Sequence, residues 1–344
     1  MGLSGGWGGR PYDGSMTATP VYMVDLEPFR LGDPADRARV AAQIDTACRD
    51  SGFLQITGHG VPLDVSDRLL EAWTAFSSLP VAEKERWIVT DKSANRGWTG
   101  VGTEALAASL GKKTPPDLVE AFVVGRDDAT DEYFDHHRSW FVPNLWPDVP
   151  ADFHDAWTAY ELAAREVQDV LLRAMAMALG LSDDWFIQRT RRSVITTRML
   201  RYERPPDSPD PEPGQMRLGA HTDYGIVTIL LADEIPGLQV FRNDEWLPVT
   251  TPRGSFTCNI GDMLAQWTND RWNSTLHRVV PPPSSADGTV LRRSIARFLD
   301  SEPDMMIECI PTCVSTDNPA KYEPVNGGEW LINKITAGRT VTTS

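Results

Sequence analysis

Apolar residues in the first part of the chain change between strand-like and helical spacing. Residues 21–25 (VYMVD) form a short strand candidate. Over 35–51, the apolar residues Val40, Ile44 and Cys48 recur at the spacing of one helix face, and a glycine then ends the predicted helix. The run FLQIT follows directly and predicts a second strand.

Two longer stretches, 62–78 and 151–180, are rich in helix-forming residues. In the second stretch, apolar positions recur three and four residues apart along much of its length. We therefore predict a mainly helical N-terminal module over 20–190. Residues 1–19 are rich in glycine and polar residues and lack periodicity, so they predict a flexible leader.

The pattern changes after a proline-rich loop at 204–214. Short β-prone runs separated by Gly, Pro, Asn and Asp then follow one another, in the order GIVTILL, GLQVF, WLPVT, SFTCNI, HRVV, RRSIARFL and MMIECI. Such runs predict a double-stranded β-helix, or jelly roll, over 191–310. The predicted fold class is α+β, with helices outside the jelly-roll core and a C-terminal tail at 311–344 packed near its functional site.

Charge and composition limit the partners. The chain has 33 Lys and Arg against 48 Asp and Glu in 344 residues, a net charge of -15 that disfavours nucleic acid as a general partner. No run of about 18 apolar residues appears, so no membrane span is predicted. At 41% hydrophobic residues the chain can bury a substantial core without a structural metal or disulfides.

The four cysteines form no CxxC pair and are sparse for this length. They predict free thiols, including Cys309 and Cys313, which are separated by a proline-containing spacer. The N-terminus also lacks the apolar stretch of a secretory signal. The expected location is therefore the cytoplasm.

Histidines are scarce, and two of the six lie in the predicted β region. His221 and Asp223 stand two residues apart before GIVTILL, so the pleat of a strand sends both to one side. His277, in STLHRVV, can complete the group from a neighbouring strand. Two imidazoles and one carboxylate are the facial triad of non-haem Fe(II), although a histidine that opens a strand is more often a hydrogen-bonding turn residue.

A second group of polar side chains follows downstream in LRRSIARFL. Strand alternation places Arg292, Ser294, Ala296 and Phe298 on one face. The guanidinium and the hydroxyl then point into the same cavity as the three candidate metal ligands. Arginine suits bidentate contact with a carboxylate, and a charge buried at a barrel mouth requires a partner.

The motifs of this chain, and their order along it, resemble those of the iron(II)- and 2-oxoglutarate-dependent dioxygenases of the isopenicillin N synthase-like family. The resemblance covers about 20–335. Its N-terminal segments are ACRDSGFLQITGHGVP, FSSLPVAEKERW, RGW and DLVEAF, and its catalytic segments are HTDYGIVTILL, NIGDMLAQWTND, STLHRVV and RRSI.

The resemblance implies roles for six residues. The implied iron ligands are His221, Asp223 and His277. The residues implied to bind the distal carboxylate of 2-oxoglutarate are Arg292, Ser294 and Tyr202. The implied reaction uses Fe(II), O2 and 2-oxoglutarate, releases succinate and CO2, and oxidises a small molecule, with hydroxylation as the default and desaturation or ring closure as alternatives.

Several positions depart from the family pattern. Arg293 stands where an aromatic residue is common, Ala296 and Arg297 replace a common Pro-Phe pair, and Leu200 replaces a polar residue often found near the co-substrate. We expect Arg293 and Arg297 to face outward without consequence. Ala296 and its neighbour on the same strand face, Phe298, are expected to shape the pocket.

The expected substrate is a free small molecule, such as an amino-acid derivative or a secondary metabolite. Candidate lining residues are Arg96 and Trp98 in RGW, and Phe298, although Trp98 fits a core position equally well. The sequence predicts neither the identity of the substrate nor the oligomeric state.

Two other functions remain open at this point. One is an oxidative cyclase that uses the same iron and O2 without 2-oxoglutarate, in which the Arg and Ser would bind a substrate carboxylate. The other, a non-catalytic jelly roll that binds a small molecule, is disfavoured by the intact set of site residues.

Overall fold

The computed structural model describes residues 21–89, 94–111, 114–203, 211–281 and 291–340. The predicted leader, 1–19, lies outside these ranges, as does most of the proline-rich loop.

The strands, in chain order, are β1 (Tyr22–Asp25), β2 (Phe53–Thr57), β3 (Gly97–Thr99), β4 (Glu120–Gly125), β5 (Ile195–Tyr202), β6 (Leu218–His221), β7 (Val227–Ala232), β8 (Leu238–Arg242), β9 (Glu245–Pro248), β10 (Phe256–Ile260), β11 (His277–Val279), β12 (Arg292–Leu299), β13 (Met306–Ile307) and β14 (Val325–Asn326). The helices are α1 (Glu27–Leu31), α2 (Pro34–Asp50), α3 (Leu63–Ser77), α4 (Val81–Lys84), α5 (Glu132–His136), α6 (Phe153–Ala178), α7 (Trp185–Arg189), α8 (Asp262–Trp267) and α9 (Gly327–Thr340). Short 3-10 helical segments cover Glu85–Trp87, Leu106–Leu110 and Pro311–Cys313.

The elements predicted from local spacing in the first half are confirmed. Helix α2 begins after Asp33, whose carboxylate accepts hydrogen bonds from the N–H groups of Ala35 and Asp36. It ends just before Gly52, whose φ of +65° is a left-handed conformation that glycine adopts without strain. The run FLQIT forms β2 as predicted.

Two sheets face each other and form the predicted jelly roll. The larger sheet has the strand order β1-β2-β10-β7-β12-β5-β4-β3, and the smaller has the order β6-β11-β8-β9. Strands β1 to β4 precede the predicted boundary at residue 191 and pair directly into the larger sheet. The two predicted modules therefore share one sheet, and the N-terminal half adds strands to the core as well as covering it with helices.

Alternation along β12 divides its side chains between two packing layers. Ile295 and Leu299 join the large apolar core that the helices cover, with Ala296 in a second cluster between the two sheets. The long helix α6 packs against α2 and α3 on the outer side of this layer. Helix burial therefore closes one face of the larger sheet and leaves its other face for a cavity.

The structure corrects the expectation that Arg297 faces outward without consequence. It points away from the cavity, as alternation predicts, but its exposed fraction is 1%, so it is part of the core and not a harmless outward residue. Its Nε and Nη2 donate to the carboxylate of Glu161 at 3.0 and 2.9 Å, and its Nη1 donates to Gln168. Burial alone would raise the pKa of Glu161, but Arg297 and Arg165 outweigh it and hold that pKa below its usual range.

Replacing Glu161 by alanine should destabilise the protein strongly, because it leaves the Arg297 charge buried without a counter-ion. Loss of one partner of a buried pair costs about 3–5 kcal/mol, whereas exposed pairs contribute about 0–1 kcal/mol. Denaturant unfolding measures this difference. The matched control is Arg39→Ala, which removes a solvent-exposed pair with Asp36. Equal unfolding free energies for the two variants would contradict a structural role for the buried pair.

The C-terminal tail ends in α9, which packs on the Leu106–Leu110 segment. The indole Nε1 of Trp330 donates to the carbonyl of Tyr224 at 3.0 Å, and Lys334 Nζ lies 2.6 Å from Asp262 Oδ2. These contacts attach the tail to the turn that follows β6 and to the first residue of α8.

The cysteines are free, as the sequence predicts. Burial raises the pKa of Cys48 and of Cys258, which disfavours the reactive thiolate in both. Within the described ranges, no helix is both long enough and apolar enough to cross a membrane.

Candidate active site

Three buried side chains, His221, Asp223 and His277, converge between the two sheets. His221 ends β6 and His277 begins β11, and the antiparallel register places them directly opposite each other. Their Nε2 atoms lie 3.6 and 3.7 Å from Asp223 Oδ1. One ligand atom from each of the three residues lies within 4.8 Å of the other two. The structure therefore brings together the three residues that the HxD spacing and the distant histidine suggested.

The rings of both histidines are fixed by backbone carbonyls. His221 Nδ1 lies 2.8 Å from the carbonyl of Gly219, and His277 Nδ1 lies 3.1 Å from that of Thr275. In a neutral imidazole, this hydrogen bond places the proton on Nδ1. The Nε2 lone pairs are then directed at each other and at the carboxylate, which is the orientation that a shared cation requires.

The carboxylate of Asp223 has one oxygen occupied and one free. Its Oδ2 accepts hydrogen bonds from Asn259 Nδ2 at 2.6 Å and from the hydroxyl of Thr228. Oδ1 remains directed at the histidines, so the geometry favours a single metal bond from this carboxylate. Sequence reasoning missed Asn259 and Thr228, because they meet Asp223 from β10 and β7 and no spacing in the chain signals that contact.

Close backbone contacts hold the turn that carries Asp223. A Cβ atom on Gly225 would lie 2.3 Å from Asp300 Oδ1, and one on Gly261 would lie 2.2 Å from the carbonyl oxygen of Gly225. The N–H of Asp262 donates to the carbonyl of Asp223 at 2.8 Å. The glycines of HTDYG and NIGD are therefore required for the two turns to pack together.

The charges suit a divalent cation. Burial, and then the proximity of His277, lower the pKa of His221 to about 4, so this imidazole is neutral near pH 7. Burial raises the pKa of Asp223, but the two histidines and the bonds from Asn259 and Thr228 outweigh it and keep the group ionised. The donor set therefore offers one carboxylate and two imidazoles, which fits Fe(II).

Arg292 is a buried cation that lines the same cavity from the larger sheet. It is 1% exposed, and its guanidinium lies over the Tyr202 ring at 5.2 Å, with Nη1 3.4 Å from Ser294 Oγ. Its Nε has no hydrogen-bond partner. No carboxylate of the described residues forms an ion pair with it. A buried guanidinium in this state requires an anion from a ligand.

The cavity extends from the three converging residues to Arg292 along the inner faces of β5 and β12. Leu200, Ala296 and Phe298 line it, together with Ser294 and Tyr202. Phe298 thus occupies the position expected from alternation, and Leu200 presents an apolar surface beside the candidate co-substrate residues.

Arg96 and Trp98 are not among the described residues that line this cavity. Arg96 is buried and donates to the carbonyls of Asn95 and Val142 at 2.9 and 3.3 Å. Trp98 belongs to the large core cluster, and its Nε1 donates to Glu120 Oε1 at 2.7 Å. The structure therefore places both side chains in packing contacts, which for Trp98 is the alternative that the sequence left open.

The fold and the site together define the class of non-haem iron oxygenases that use an acidic co-substrate. The defining features are the two facing sheets, the convergent imidazoles and carboxylate, and the buried arginine. The chain belongs to the 2OG-Fe(II) oxygenase superfamily, whose family model matches residues 196–301. Residues 21–149 match the model described as the non-haem dioxygenase in morphine synthesis N-terminal. The protein is therefore an Fe(II)- and 2-oxoglutarate-dependent dioxygenase of small molecules.

Named relatives are similar to this chain in both sequence and structure. The chain is 33% identical over 315 residues to the 2-oxoglutarate-Fe(II) type oxidoreductase hxnY of Emericella nidulans, covering 90% of this chain and 87% of that protein. It is 32% identical to validamycin A dioxygenase of Streptomyces hygroscopicus subsp. limoneus, covering 91% and 85%. The crystal structure of a full-length Neurospora crassa protein in complex with alpha-KG and thymine matches with a TM-score of 0.81 at 28% identity, covering 92% of this chain and 96% of that one.

Proposed function

We propose that this dioxygenase hydroxylates a free small molecule and that six residues carry its iron and co-substrate chemistry. The proposed iron ligands are His221, Asp223 and His277. The proposed partners of the distal carboxylate of 2-oxoglutarate are Arg292, Ser294 and Tyr202. The observation that carries the proposal is the buried guanidinium of Arg292, which has no carboxylate partner in the described protein and lines the same cavity as the three candidate metal ligands.

The bound Fe(II) supplies the centre at which O2 and 2-oxoglutarate react to give succinate, CO2 and the oxidised product. The protein's part is to present a fixed donor set. The bonds from Asn259 and Thr228 to Asp223 Oδ2 restrict that carboxylate to one ligand oxygen. Three protein donors, His221, Asp223 and His277, would hold the ion and leave room on it for the co-substrate and O2.

The co-substrate end of the cavity suits a dicarboxylate. Arg292 presents a planar fork of N–H donors, which matches a carboxylate better than a point charge does. Burial raises the pKa of Tyr202, so its phenol stays protonated and can donate a hydrogen bond. The Ser294 hydroxyl beside Arg292 supplies a further donor.

The wall near Phe298 and Ala296 suits the hydrocarbon part of a small substrate, because both side chains are apolar and face the cavity. A cytoplasmic location belongs to the same proposal. Its support is the set of four free cysteines, which is typical of a reducing compartment.

Co-substrate stoichiometry tests the reaction. Carefully desalted enzyme loaded with Fe(II) is supplied with O2 and a panel of candidate substrates, with and without 2-oxoglutarate. We expect oxygen uptake to require 2-oxoglutarate, and each 2-oxoglutarate consumed to give one succinate, matched by oxidised product in a coupled reaction. Full product yield without 2-oxoglutarate would instead identify an oxidative cyclase, and absence of turnover with bound iron and 2-oxoglutarate would identify a binding protein.

A further inference from the structure

A second guanidinium lines the cavity, and the proposed iron and co-substrate chemistry does not use it. Arg198 lies on β5 and is paired in register with Ala296 of β12. Its side chain is 15% exposed. Arg198 lines the same cavity as His221 and His277.

The backbone positions of Arg198 and Arg292 are well separated along the sheet. Tyr202, which is paired with Arg292, lies four positions beyond Arg198 on the same strand. At about 3.3 Å per residue, this corresponds to roughly 13 Å along the sheet. With 2-oxoglutarate held by Arg292, Arg198 is left for a different group in the cavity that the candidate iron ligands also line.

The ion pair of Arg198 leaves part of its donor set unused. Its Nη2 lies 2.6 Å from Glu104 Oε2, whereas its buried Nε has no partner. Glu104 is held in place through its own backbone, because its carbonyl accepts the N–H of Asp117 at 2.7 Å. A guanidinium has five N–H donors, so a second acceptor can bind while Glu104 stays paired.

Besides Glu104, the groups near Arg198 include Asp117 and Tyr202, and the cavity wall around it is otherwise mainly apolar. Leu106 and Leu200 line the cavity with it, and Phe298 contributes an aromatic wall. A guanidinium with free donors beside an apolar wall suits a ligand with a hydrocarbon body and one anionic group, since a planar fork binds a carboxylate bidentately.

We propose that Arg198 binds the substrate through a carboxylate and so makes this enzyme selective for small carboxylic acids. This inference rests on the proposed function, because it assumes that 2-oxoglutarate occupies the Arg292 end of the cavity.

The test uses anaerobic holoenzyme with Fe(II) and 2-oxoglutarate, whose visible charge-transfer absorption also changes when a substrate binds beside the metal. The probes are small carboxylic acids, each compared with its own primary carboxamide. We expect acids to perturb the absorption at concentrations at least ten-fold lower than their amides. Arg198→Leu should weaken acid binding by about ten- to a hundred-fold and remove this preference while the absorption itself persists.

The matched control is Arg201→Leu, because Arg201 lies on the same strand with its side chain on the other face, bonded to Ser78 and Glu203. This variant should keep the preference for acids. Arg198→Lys, which retains the charge without the fork, provides a second variant if the leucine variant fails to fold. It should bind acids more weakly than the wild type does.

Equal binding of acids and amides would overturn the inference, as would an unchanged preference in both Arg198 variants or the absence of any acid that perturbs the absorption. Each of these outcomes leaves the charge-transfer absorption of the 2-oxoglutarate complex intact. Loss of that absorption in the wild-type protein would instead contradict the proposed function itself.

Discussion

Replacing His221 by alanine should abolish turnover and the visible absorption that Fe(II) and 2-oxoglutarate produce together under anaerobic conditions. The absorption arises when a chelating keto acid accepts charge from the metal, so it reports directly on an assembled centre. Loss of a partner that only orients a metal ligand typically costs 10–100-fold in metal affinity or activity, and we expect loss of the ligand itself to cost at least about that much. Asp223→Ala should have the same effect.

Iron binding measured by equilibrium dialysis and the absorption titration together check this result. The control is His154→Ala, which removes a histidine at the protein surface that contacts Asp127. The control should bind iron and 2-oxoglutarate as the wild type does. An unchanged absorption in the His221 variant would show that the metal lies elsewhere, because no other described residue replaces that Nε2 beside Asp223.

Replacing Arg292 by leucine should raise the 2-oxoglutarate requirement by tens to hundreds of fold. The distal carboxylate would lose a charge-assisted bidentate partner in a dry cavity, at a cost of about 2–4 kcal/mol. The iron ligands are untouched, so Fe(II) binding should change little. Titration of the charge-transfer absorption with 2-oxoglutarate measures the shift separately from turnover.

Arg293→Leu is the matched control on the opposite face of the same strand. The side chain of Arg293 donates to Thr74 Oγ1 at 2.9 Å and lies near Asp233, so its loss affects stability and not the cavity. Its 2-oxoglutarate requirement should stay close to that of the wild type. Identical titrations for the Arg292 and Arg293 variants would contradict the orientation of β12 on which the co-substrate site depends.

Local sequence patterns determined the elements that depend on spacing alone. Helix α2 and strand β2 follow from periodicity and a glycine end, because helices and strands present apolar residues at different intervals. The same rule determined which side chains of β12 share a face. That is why the two-residue spacing grouped Arg292 with Ser294 correctly. The same rule does not account for His221 and Asp223, because β6 ends at His221 and Asp223 lies in the turn that follows.

Only the tertiary structure decided which residues from distant parts of the chain meet. Strand alternation correctly predicts that Arg297 points away from the cavity. The packing of α6 on that face buries the side chain and provides Glu161 as the partner of its charge. The tripeptide RGW does not indicate whether its side chains line a pocket or lie in the core. In the structure, packing places Trp98 against Glu120.

The tertiary structure also decided the contacts around Asp223 and which arginines line the cavity. Asn259 reaches Asp223 only because β10 lies beside β7 in the larger sheet, and Arg198 faces the cavity because β5 pairs with β12 in one register. A strand's own sequence determines which of its side chains share a face. The neighbour that each face meets is determined by sheet order and helix packing, which depend on the whole chain at once.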